Sequence, residues 1–157
     1  MRINLLCIGK TDDKKITELI SYYIARLPKH WNFEMIEIPD AKNARNLSSD
    51  LLKKEEAKLF FNHIENTDLV ILLDEKGKEF TSREFAQKLN YYQNNSIKKV
   101  CFLIGGAYGF SDEMYNRANE KLSLSKMTLT HQMVRIVFLE QVYRAFTILN
   151  NEPYHHC

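Results

Sequence analysis

Glycine and proline are scarce in this chain, at 5 and 3 of 157 residues, and no tract is biased toward disorder, which excludes low-complexity and linker readings. Cysteine is equally sparse. Cys7, Cys101 and Cys157 are odd in number, and none stands at a spacing suited to zinc or to a redox pair. Cys7 and Cys101 fall inside apolar runs, which predicts buried, reduced thiols. No run approaches the ~20 apolar residues that span a bilayer. The opening MRINLLCIG is too short for a signal-peptide core and lacks a small-residue cleavage site. Together these absences predict a cytoplasmic protein with no membrane partner. Charge of one sign is missing too: the net value is +2, too small to establish a nucleic-acid partner, although a local basic patch is compatible with it.

What is present is the composition of a folded domain, 45% hydrophobic and 27% charged. A chain of this length buries roughly 70% of its unfolded surface, enough for one core, so residues 1–157 are expected to form a single domain.

Short apolar runs alternate with helical periodicity along the chain. Residues 3–8 form a compact apolar run closed by Gly9, the pattern of a buried strand. Ile16, Leu19, Ile20, Tyr23, Ile24 and Leu27 then recur at steps of three and four, a helical stripe ending before Pro28. Residues 33–38 read as a second strand stopped by Pro39. Ser48 or Ser49 is expected to cap a helix bearing Leu52, Leu59, Phe60 and Ile64. Residues 69–73 and 100–104 supply two further strands. Between them Thr81-Ser82-Arg83-Glu84 has the form of a capping box opening a helix with Phe85 and Leu89. This alternation predicts an α/β sandwich around a mostly parallel sheet.

In such a sheet ligands sit beyond the carboxyl ends of the strands. Three ends offer themselves: Leu73-Asp74-Glu75, Gly105-Gly106, and the segment after Leu124. The glycines at 105, 106 and 109 do not complete a G-x-G-x-x-G fingerprint, and no G-K-[ST] follows. They have two readings, a tight strand-to-helix turn capped by Ser111, or a loop that lets backbone approach a ligand. Residues 122–129 alternate apolar and small polar side chains, the pattern of an edge strand running into a loop. Of the 17 residues from 133 to 149, 12 are apolar. One face of a sheet requires an apolar stripe of only about 100°. The surplus predicts a second buried side, most simply against the same helix of a second copy.

Read together, L-D-x-x-G-K at 73–78, I-G-G-x-x-G at 104–109, L-S-x-S-K-M-T at 122–128, H-Q-M-V-R at 131–135, E-Q-x-Y-R-A at 140–145 and the closing Pro153-Tyr154-His155 form a specific combination. The chain resembles, over its whole length, the RlmH (YbeA-like) family of the SPOUT superfamily. Those enzymes methylate N3 of a pseudouridine in large-subunit ribosomal RNA. The resemblance implies a five- or six-stranded parallel sheet with a C-terminal trefoil knot and a homodimer. It also implies 23S rRNA within the ribosome as partner, and S-adenosylmethionine as cofactor with S-adenosylhomocysteine as product. Carried onto this sequence, cofactor contacts come from Leu73, Gly105, Leu124, Ser125, Lys126, Met127, Thr128 and Leu129. Two positions depart from the family pattern: Thr130 stands where proline is common, and His156-Cys157 where Lys or Arg is usual.

Transfer of a methyl group from a sulfonium to nitrogen is an in-line displacement that needs positioning and no metal. The acceptor N3 carries a proton, so a base or a cationic stabiliser is required. Arg135, Arg144, Tyr154 and His155 are the expected catalytic residues, with His155 preferred as proton acceptor because imidazole titrates near working pH. His131 has two readings, local hydrogen bonding at a helix start or catalysis. Arg135 and Arg144 point to opposite sides of an ideal helix, so a site using both is shared between subunits. The alternative function is a SPOUT-fold protein that binds ribosome or RNA with little or no methyltransferase activity.

Overall fold

The apolar runs at 3–8, 70–72 and 100–104 form central strands buried on both faces, and two partly exposed strands flank them at the sheet edges. The computed structural model describes residues 1–154. Strand β1 (Arg2–Ile8) is buried from Ile3 onward, β2 spans Phe33–Ile38, β3 Leu69–Glu79, β4 Lys99–Ile104 and β5 Glu120–Ser123. All pairings are parallel and the order is β2-β1-β4-β3-β5. Parallel strands need crossovers, and the helices provide them on both faces.

Helices α1 (Lys14–Ile24), α3 (Ser82–Asn94) and α5 (His131–Leu149) cover one face, where Leu5, Phe102, Leu89, Phe138 and Val142 make the larger core. Helices α2 (Ser49–Phe61) and α4 (Asp112–Arg117) cover the other, over Leu6, Leu72, Leu103, Phe60 and Met114. Side-chain caps start each helix: Asp13, Ser48, Thr81, Ser111 and Thr130 all accept from backbone N–H groups of the first turn. Thr81 and Glu84 form the expected capping box. Thr130 therefore starts α5 without the rigidity of a proline.

The elements fall near where periodicity placed them, but α1 stops at Ile24, short of Leu27, α2 stops at Phe61, short of Ile64, and a third difference lies in β3. That strand continues past Leu73 to Glu79. Leu122 of β5 pairs with Leu73 and again with Lys78, so residues 74–77 leave the ladder as an excursion and return to the same partner. The return brings backbone against backbone: a Cβ on Gly77 would lie 2.7 Å from main-chain atoms of Lys121 and Leu122. Glycine is required there by space.

Cys7 and Cys101 are buried free thiols, as expected, and burial pushes both thiols up to about 12. Among the described residues, no helix is long and apolar enough to cross a membrane.

Candidate functional site

The carboxyl ends of β3, β4 and β5 open into one cavity of about 620 Å³, within the range of small-ligand sites. Three chain segments and one helix end build it. The first is the excursion after Leu73. Asp74 accepts from the backbone N–H of Lys76 at 2.8 Å and from the Tyr115 hydroxyl of α4. Burial, then the Asp74 hydrogen bond and charge, raise the Tyr115 pKa, so the phenol stays protonated and keeps donating. The second is the turn after β4. Gly106 and Gly109 bridge each other, and the N–H of Gly109 donates to the carbonyl of Gly106 at 3.1 Å. This turn ends where Ser111 caps α4, the tight strand-to-helix turn expected, and it also forms a wall of the cavity.

The third segment, after β5, is held by its own small polar residues. The Ser123 hydroxyl donates to the carbonyl of Ser125 at 3.0 Å, and the Ser125 hydroxyl accepts from Met127 N–H at 2.9 Å. Thr128 then donates to Glu75 at 3.2 Å, tying the third segment to the first. The serine and threonine spacing of L-S-x-S-K-M-T thus shapes the loop. The first turn of α5 closes the cavity with Thr130, His131 and Val134.

Of the expected cofactor residues, Leu73, Gly105, Leu124, Ser125, Met127, Thr128 and Leu129 line this cavity. Lys126 does not. Its side chain is 82% exposed and reaches toward Glu79 at 3.7 Å. Asp74 and Glu75, marked as a strand end but not among the expected cofactor contacts, line the cavity too, as do Tyr115 and Val134, which carried no such expectation. The Asp of L-D-x-x-G-K was the available signal for the first.

The expected catalytic residues separate. Arg135 is fully buried, with Nη2 donating to the carbonyls of Ile8 and Gly9 at 2.9 Å each and Nη1 to Thr11 at 2.7 Å and Glu37 at 3.1 Å. It ties α5 to the carboxyl end of β1 and lies outside the cavity lining, which corrects its placement among groups facing a substrate. Arg144 is on the opposite side of α5, as helical geometry required. It holds Glu140 at 2.7 and 3.0 Å and lies 4.9 Å from the Tyr154 ring centroid. Tyr154 packs on Tyr143 at 4.8 Å, and burial followed by the Glu140 charge pushes its phenol up to about 12. At neutral pH it is a donor and not a base. His155 lies outside the described residues. The Arg144–Tyr154 cluster stands 13 residues beyond His131, about 20 Å along the helix, and cannot reach its own cavity.

The walls suit S-adenosylmethionine. Leu73, Ile104, Leu124 and Leu129 offer an apolar slot, the glycine turn brings main-chain groups close, and Asp74 and Glu75 place negative charge beside the mouth for a cationic donor. By geometry alone this is an α/β protein with a small-ligand cavity at the carboxyl edge of a parallel sheet. Over residues 1–155 the chain matches the family model described as Predicted SPOUT methyltransferase. It is similar to the Ribosomal RNA large subunit methyltransferase H of Christiangramia forsetii, 51% identical over 156 residues and covering 99% of each chain. The protein of the same name from Cytophaga hutchinsonii is 54% identical, covering 99% of this chain and all of that one. A solved structure of a probable methylase family protein from Haemophilus influenzae shares the fold, with a TM-score of 0.61 at 14% identity, over 99% of this chain and 70% of that one. The chain belongs to the SPOUT methyltransferase family.

Gly77→Ala tests the excursion. Its Cβ meets main chain, which cannot step aside, so overpacking should cost about 1–3 kcal/mol. The melting temperature should fall by several degrees and cofactor affinity with it; calorimetric titration and a thermal melt check both.

Proposed function

We propose that this protein transfers the methyl group of S-adenosylmethionine to N3 of a pseudouridine in 23S ribosomal RNA, in the cytoplasm and on the assembled ribosome. The supporting observation is that three strand ends converge in one cavity on a chain half identical, end to end, to enzymes named for large-subunit rRNA methylation. When bound, the cofactor supplies an electrophilic methyl group. This chain supplies the slot, the glycine wall and the acidic mouth, and α5 presents His131 at the cavity edge. The family's knotted threading would pass residues 124–130 beside the other two segments, the juxtaposition described above.

The working unit is a homodimer. The outer side of α5 carries Met133, Val137 and Ile148 between Glu140, Gln141 and Arg144, and Met133 is 42% exposed. A partner helix laid on this side buries those apolar groups and carries the Arg144–Tyr154 cluster of one subunit toward the cavity of the other. There a guanidinium stabilises the anion that forms as the N3 proton leaves, and His155 takes the proton.

Labelled S-adenosylmethionine, incubated with the protein and ribosomes that lack the modification, should transfer label to the large-subunit RNA, and more so in ribosomes than in naked RNA. Ribosome binding without transfer would assign the protein to an RNA-binding role instead. Neither binding nor transfer would leave only a cofactor-binding domain.

A further inference from the structure

We propose that Glu56, on α2, is a positioning residue that braces the Gly106 wall of the cofactor cavity from behind. Glu56 lies on the helix layer opposite α5 and takes no part in the cavity lining. It is 5% exposed, on the same buried side of α2 as Ala57 and Phe60. Its carboxylate sits directly against Gly106: a Cβ there would be 2.3 Å from Oε1 and 2.8 Å from the carboxyl carbon. Gly106 in turn lines the cavity. Four residues along α2, Phe60 packs on Phe110 at the far end of the same turn, with ring centroids 6.1 Å apart. One helix therefore supports both ends of the glycine wall.

A carboxylate is an expensive way to fill this space. Burial raises the Glu56 pKa, Asp40 adds repulsion in the same direction, and the backbone hydrogen bond of Gly106 acts the other way. A leucine would fill a similar volume without that desolvation cost. What the leucine lacks is an acceptor for the Gly106 main chain. The carboxylate fixes the direction of a peptide unit whose other side faces the ligand, and the Gly106–Gly109 bridge passes that constraint along the turn. Gly106 has no side chain so that the brace can come this close.

This inference rests on the cavity being the S-adenosylmethionine site, and the experiment separates the two. Glu56→Leu, Glu56→Ala and Glu56→Gln are compared with Gly105→Val, whose side chain would crowd the carbonyl of Gly109, already 3.1 Å from a Cβ at that position. Each is checked for folded content by circular dichroism, then titrated with S-adenosylmethionine by calorimetry and assayed on unmodified ribosomes. Folded Glu56→Leu and Glu56→Ala should lose about tenfold or more in cofactor affinity, as expected for a lost charge-assisted hydrogen bond. The loss should appear in KM for the cofactor, with KM for ribosomes little moved. Glu56→Gln, whose amide oxygen still accepts, should recover most of the affinity. Wild-type Kd in Glu56→Leu and Glu56→Ala, beside loss in Gly105→Val, would overturn the role of Glu56 alone. Undiminished binding by Gly105→Val would overturn the cavity assignment itself.

Discussion

Two inactive variants, refolded together, will regain methyltransferase activity that neither has alone. Arg144→Ala keeps the cofactor cavity and loses the outer cluster, whereas Gly105→Val loses the cavity and keeps the cluster. Each homodimer is then dead at both sites. Equal mixing makes half of the dimers hybrid, each with one intact combination, so activity should return to about a quarter of wild type. The reason is distance: the cluster is about 20 Å along α5 from His131 and cannot bend back to its own cavity. Deleting residues 154–157 should behave like Arg144→Ala, abolishing transfer while leaving cofactor affinity largely intact. Transfer rates of the mixture, read against each variant alone, decide the matter. A mixture as inactive as its components would mean that each subunit completes its own site.

Arg135→Ala will unfold the protein at a much lower temperature, and its effect on catalysis will follow from that. The guanidinium is fully buried and satisfies the carbonyls of Ile8 and Gly9, the Thr11 hydroxyl and Glu37. Removing one partner of a buried ion pair costs about 3–5 kcal/mol, and the lower end applies because Glu37 keeps partial access to water. For a chain of this size each kcal/mol moves Tm by about 2–4 °C, so a fall of at least ~6 °C is expected in a thermal melt. Arg135→Lys should recover only part, since one ammonium cannot span the fork of acceptors. A melt unchanged in Arg135→Ala would remove the anchoring role.

The architecture was legible because its signals are local. Apolar runs, a helical stripe, capping residues and a capping box lie within a few positions of one another, and α1, α3, β2 and the start of α2 followed directly. Leu73, Gly105 and the segment from Leu124 were legible as strand ends, since a parallel sheet sends its carboxyl ends to one edge. The role of Gly77 was not, because the neighbour that excludes a side chain there is Leu122, far away in sequence. Arg135 shows the same limit. Periodicity placed it opposite Arg144, but only the tertiary fold shows that its side of the helix faces the end of β1. Glu56 gave no sign, because a glutamate on an amphipathic helix reads as solvent-facing until the glycine turn arrives behind it.

The double pairing of Leu122 has a consequence for cofactor affinity. Residues 74–77 form a loop with both ends clamped to a single ladder position, and Asp74, Tyr115, Glu75 and Thr128 are bonded within and across it. Such a segment has surrendered its conformational freedom during folding, so little ordering remains to oppose ligand capture. The free-energy cost of shaping this wall is charged to the stability of the protein rather than to each turnover.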